Sequence, residues 1–128
     1  MKYYVCNLLL IISLACGTVS KNESPLPLPS GGQVFVISLL NTHYPNGDYA
    51  IELNYRTNTS LDDRRALKNE LYEVWSTFLP YAEKQGAGSV LIKVHEPPKG
   101  FMIKTNKSET FLFKKLNNQW VKPNIQQI

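Results

Sequence analysis

One stretch of this 128-residue chain carries the period of a helix. Leu67, Leu71, Val74, Trp75, Phe78 and Ala82 recur at steps of three and four, which draws one apolar stripe on an amphipathic helix. Ser60 stands ahead of the stripe as a cap for the free amides of the first turn. Asp62 and Asp63 suit the positive end of the helix dipole, and Gly86 and Gly88 end the run. Pro80 removes a main-chain hydrogen bond inside it and predicts a kink or an early stop. One helix can cover only one face of a sheet, so this single stripe limits the folds open to the chain.

The remaining apolar segments read as strands. Val34-Phe35-Val36-Ile37-Ser38-Leu39-Leu40 is short, β-branched and aromatic, and is apolar on both faces. Uniform alternation puts Val34, Val36 and Leu40 on one side of it, and Phe35, Ile37 and Leu39 on the other. Asn46-Gly47 marks a tight turn. Tyr49, Ile51, Leu53 and Tyr55 then alternate with Ala50, Glu52, Asn54 and Arg56, the pattern of a half-buried strand paired in a hairpin with the first. After the helix come strands at Ser89–Glu96, Phe101–Thr105 and Thr110–Leu116, a turn at Asn117-Asn118 and a short strand from Trp120. The expected class is α+β, one long amphipathic helix packed on a mainly antiparallel sheet in the order ββαβββ(β).

The chain opens with a different kind of segment. Lys2 precedes an apolar run from Val5 to Ala15, eleven residues long. A membrane-spanning helix needs about 20, and this length fits the apolar core of a signal peptide. Ser13-Leu14-Ala15-Cys16 resembles the lipobox of bacterial lipoproteins. The resemblance implies removal of residues 1–15 and acylation of Cys16. It also implies a membrane anchor that, with Gly17 following the cysteine, is compatible with an outer membrane. The alternative is an ordinary cut before Thr18, which leaves a secreted domain. Both cysteines, Cys6 and Cys16, lie in this segment, so no disulfide can form within the mature chain and packing alone must hold it. Residues 16–32 are polar, then alternate Pro25, Pro27 and Pro29 with leucines, and end in glycine. They read as a lipid-anchored flexible tether ahead of a single domain over 33–128.

Charge is uneven along the chain. Residues 93–128 carry seven lysines and two glutamates, a net of +5, whereas residues 16–92 carry a net of −2. Such a surface either solubilises edge strands or meets an anionic partner. All three arginines lie outside the lysine-rich part, which argues against base reading or bidentate phosphate recognition and leaves nucleic acid out of the expected partners.

Motifs for chemistry are few. Gly86-Ala-Gly-Ser89-Val lacks the second glycine of a hydrolase elbow. His95 and Glu96 are neighbours on a strand and point to opposite faces, so they do not share a metal. Asp62 and Asp63 are explained by the helix start. No catalytic residue, metal or cofactor is expected, and the chain is read as a non-enzyme. The reading is an exported, membrane-anchored lipoprotein whose domain binds another envelope protein or a second copy of itself. Its candidate surface is Phe35, Ile37, Leu39, Lys93, Lys104 and Lys114. A secreted domain that binds anionic glycan or lipid through the lysine-rich half is the alternative, and a small hydrolase is third.

Overall fold

A computed structural model of the chain describes residues 23–97 and 107–125. Cys16, Lys104 and the strand read at Phe101–Thr105 lie outside the described residues. The elements run β1 (Ser24–Pro27), β2 (Gln33–His43), β3 (Tyr49–Arg56), α1 (Arg64–Gln85), β4 (Ser89–His95), β5 (Ser108–Leu116) and β6 (Gln119–Val121). All six strands form one sheet in chain order. Neighbours are antiparallel except β3 and β4, which are parallel. That pair has α1 between its strands, as a parallel pair needs a crossover connection.

The expected α+β layering, a long helix packed on a sheet, is corrected. Strand makes up 45% of the described residues and helix 23%, and the sheet curls into a half-barrel. Among the described residues the fold is mostly sheet with one helix. The expected tether over 16–32 leaves out the edge strand β1, and alternation alone does not reveal the curl. From Ser24 onward that segment belongs to the domain. Pro25 and Pro27 sit on an edge strand, where one side of the backbone needs no ladder partner, and β1 pairs with β2 from Ser24 opposite Val36 to Pro27 opposite Gln33. Leu26 is 2% exposed and Leu28 is also buried. The turn that follows is closed by the Leu28 amide donating to the Gly32 carbonyl at 2.8 Å. Ser30 ties it to the helix, its amide and hydroxyl donating to the two carboxylate oxygens of Glu73 at 2.8 and 2.9 Å.

β2 does not alternate uniformly. Val36 lies opposite Tyr55, but Ser38 lies opposite Asn54, so Ile37 is an extra residue in the strand. Such a bulge bends a strand and increases its twist, which suits a sheet that curls. It also resets the faces. Val34, Val36 and Leu39 point into the core, Leu39 at 8% exposure, while Leu40 is 53% exposed.

The helix starts later than Ser60. Asp63 is its cap and accepts from the Ala66 amide at 3.2 Å. Ser60 instead accepts from the Asp62 amide at 3.1 Å and donates to Glu96. The early stop offered at Pro80 is absent, and α1 continues to Gln85. Pro80 lies on the exposed side, where water can satisfy a freed carbonyl. Gly86, at φ 74°, closes the helix, and the Gly86 and Ala87 amides donate back to the Glu83 and Ala82 carbonyls.

The stripe of α1 and the inner face of the curled sheet fill one core. Trp75 stacks on Phe113 at 4.3 Å between ring centroids and meets Trp120 edge-on at 5.0 Å. Asn117 and Asn118, at φ 51° and 63°, make the tight turn into β6.

If β1 is part of the domain, Leu26→Ala should lower stability by about 2–5 kcal/mol, the range for emptying a buried leucine site. Removal of residues 24–32 should cost more. Urea unfolding of both variants measures this, and a loss below about 0.5 kcal/mol, the level of a surface change, would mean that β1 does not pack in solution.

Candidate functional site

The inner face of the sheet is occupied by the helix stripe, so the outer face is the one the helix leaves uncovered. Its composition follows from strand register. One row across the strands is Leu40, Glu52, Leu91 and Leu112; the next is Ser38, Asn54, Lys93 and Thr110. A third is Phe35, Arg56, His95 and Ser108. On the other side of the leucine row lie Ala50, Ser89, Lys114 and Val121.

The first part of this face is polar and tightly bonded. Asn54 donates through Nδ2 to Glu52 Oε2 at 2.8 Å. Its Oδ1 lies 2.8 Å from His95 Nε2. An amide oxygen only accepts, so in this arrangement His95 Nε2 carries the hydrogen. Arg56 lies over the Phe35 ring, 4.9 Å from its centroid, and its Nε donates to Glu23 Oε1 at 2.7 Å. Burial of His95, then the charge of Lys93, hold its imidazole below the ordinary value of 6.5 against the opposing pull of Glu52 and Glu23. The group is therefore a neutral hydrogen-bonding ring at pH 7.

The second part is apolar. Leu112, Leu116 and Val121 are 46%, 49% and 50% exposed. Leu91 lies directly opposite Leu112 and is half-buried. Lys114 stands between these residues, two positions from Leu112 and from Leu116 on the same face and opposite Val121.

The structure divides the residues proposed from sequence. Phe35 and Ile37 are half-buried on or beside the outer face, Phe35 beneath Arg56 and Ile37 at the bulge. Leu39 is in the core, and Leu40 takes the outer position. Lys93 and Lys114 share the outer face, two strand rows apart. Ser89–Val94 is nearly apolar on both faces in sequence, which anticipates an outward Leu91, but the outward leucines of β5 were missed. The alternation of Phe111 and Phe113 with Leu112 and Leu116 held the signal, because it is apolar on both sides.

Other titratable groups are structural. Glu96 is buried and accepts from the Leu61 amide and the Ser60 hydroxyl, fastening the loop before α1. Glu70 accepts from Thr57 and from the Tyr55 hydroxyl at 3.1 Å. Burial, with the Glu70 charge beside it, pushes that phenol far above the ordinary tyrosine range. Arg64 forks onto both oxygens of Glu109 at 2.8 and 3.0 Å. Asp63 is spent on the helix cap, and Asp62 lies 3.6 Å from Lys107. His43 stacks on Tyr49 at the far end of the strands from His95. Among the described residues, no group of three or more His, Cys, Asp or Glu is placed to hold a metal, and no helix is long and apolar enough to cross a membrane.

No protein-family model, curated protein or solved structure matches the chain.

The His95 environment has a pH consequence. Its pKa is lowered on folding, so below about 6.5, the unfolded value, the unfolded chain binds a proton that the folded chain resists. The stability supplied by neutral His95 is present above that pH and is lost as pH falls below it. Urea midpoints should therefore be higher at pH 7.5 than at pH 5.5, and His95→Gln should reduce the difference. A His95 pKa above 6.5 by NMR titration would contradict the assignment.

Proposed function

We propose that this chain is an exported lipoprotein, held at a membrane by acyl chains on Cys16, and that its domain works in the cell envelope by binding through the outer face of its sheet. The observation that carries the binding role is the outer apolar cluster. Leu112, Leu116 and Val121 keep about half of their surface in water beside Leu91, although the core has taken up the inner face, and Leu40 is exposed on the far side of Glu52. Each forgoes a sizeable part of the roughly 1.5–3 kcal/mol that full burial of such a side chain gives. Contiguous exposed apolar surface marks interaction sites. The His95 ring bonds to an amide, and the outer-face serines make no described bond to it, which supports binding over hydrolysis.

The anchoring role rests on Val5–Ala15 followed by Cys16. Because β1 starts at Ser24, only seven residues would separate the acylated cysteine from the sheet. At about 3.3–3.6 Å per residue, that linker reaches roughly 25 Å at most, so the domain works close to the membrane. Two partners fit, an envelope protein and an anionic lipid or glycan. Lys93 and Lys114 on the outer face favour the anionic one.

Cys16→Ser should leave the precursor uncut or release the domain from the membrane fraction, and the wild-type N-terminal peptide should carry the mass of its acyl chains. Normal processing and unchanged membrane retention of the variant would defeat the anchor reading.

A further inference from the structure

We propose that the outer face of the sheet is a docking surface for an anionic lipid bilayer. The leucine cluster enters the boundary between headgroups and acyl chains, and Lys93 and Lys114 meet the headgroup charge. The proposal rests on the anchored reading above and names the partner of that same surface.

Composition separates a lipid from a protein partner. Protein hot spots are rich in Trp, Tyr and Arg, and protein interfaces are depleted in Lys. This cluster holds leucines, a valine and lysines. The two tryptophans are used elsewhere: Trp75 is buried, and Trp120 packs edge-on against it while donating to Glu83 at 3.1 Å. Arg56, on the outer face, is already paired with Glu23. Aliphatic side chains with flanking lysines are what an interfacial membrane surface carries. Lysine stems can lie along the leucines while the ammonium groups stay in the headgroup layer.

Charge points the same way. Lys93 and Lys114 make no ion pair with another described residue, whereas Lys115, on the inner side of β5, is taken by Glu83 at 2.7 Å. Glu52, in the same row as Leu91 and Leu112, keeps its charge while accepting from the neutral Asn54 amide, and Lys93 and Lys114 outnumber it. A second copy is a poorer occupant, because a two-fold contact centred on Leu112 sets Lys114 near its own equivalent. An anionic bilayer supplies the missing charge.

The linker delivers the domain in a compatible way. Glu23, the first described residue, has its carboxylate on Arg56, which belongs to the outer face. Leu112 lies four strands away from β1, roughly 19 Å at the usual strand spacing. That is within the roughly 25 Å that seven extended residues span, so the anchor and the leucine cluster can rest on one membrane plane.

The test uses the full acylated protein in vesicles of phosphatidylcholine alone or of phosphatidylcholine mixed with phosphatidylglycerol. Leu112→Cys, labelled with a polarity-sensitive fluorophore, reports on the cluster, and Arg65→Cys, on the exposed side of α1, is the control. In mixed vesicles the label at 112 should shift to the blue and resist an aqueous quencher, while the label at 65 stays accessible. High salt should reverse the protection. Lys93→Gln with Lys114→Gln should weaken docking about thirtyfold, the value of two basic residues near an anionic surface. Equal quenching at 112 in both lipids would overturn the proposal. So would protection that follows protein concentration whatever the lipid, which is self-association, or protection that needs an added acidic protein. The N-terminal peptide mass of the same preparation decides the anchor separately. An unacylated chain that still shows lipid-dependent protection keeps the docking surface and loses the anchor.

Discussion

Ile37 is the point on which the two faces of this sheet depend. One extra residue between Val36 and Ser38 shifts the register against β3, and because side chains alternate with a period of two, a shift of one exchanges faces for everything beyond it. Leu39 consequently packs opposite Leu53 in the core, and Leu40 stands outside opposite Glu52. The same bulge adds twist where the strand must curve. Without it, the run from Val34 to Leu40 would place Leu39 on the outer side and leave the core short of one side chain beside Leu53.

With the inner face assigned, the helix is held against it at several places. Arg64 grips Glu109 near its start, and Ser30 in the β1–β2 turn grips Glu73 near its middle. The Tyr72 hydroxyl donates to the Pro123 carbonyl. Near the end, Glu83 accepts from Lys115 and Trp120, which keep its carboxyl below the usual range. Exposed ion pairs of this kind add little individually; they orient a helix whose stability comes from Leu67, Leu71, Trp75 and Phe78. Every buried side-chain nitrogen and oxygen among the described residues has a hydrogen-bond partner. The inner side is thus complete in both apolar and polar terms, and the unsatisfied apolar surface is on the outside.

The helix stripe, the Asn46-Gly47 hairpin and the turn at Asn117-Asn118 were legible because each is a local pattern with a local cause. β1 was not. Pro25-Leu26-Pro27-Leu28 has the composition of a tether, and only its place at a sheet edge, with both leucines buried, makes it a strand. The helix runs past Pro80 for a related reason, since the cost of a proline in a helix depends on whether the orphaned carbonyl faces water. The bulge left no mark in the alternation, so Leu39 was assigned to the candidate surface in place of Leu40. Lys93 and Lys114 were visible as part of a lysine-rich half. That they share a face with Leu91, Leu112 and Val121 is a matter of pairing across β4, β5 and β6, which no single segment records.

The assignment of faces, from which both the core and the proposed docking surface follow, is tested by two neighbouring substitutions. Leu39→Ala should destabilise the domain by about 2–5 kcal/mol in urea unfolding, and Leu40→Ala should change stability by no more than about 0.5 kcal/mol. The reverse order, with Leu40→Ala costly and Leu39→Ala neutral, would show that β2 alternates without a bulge and would contradict the account.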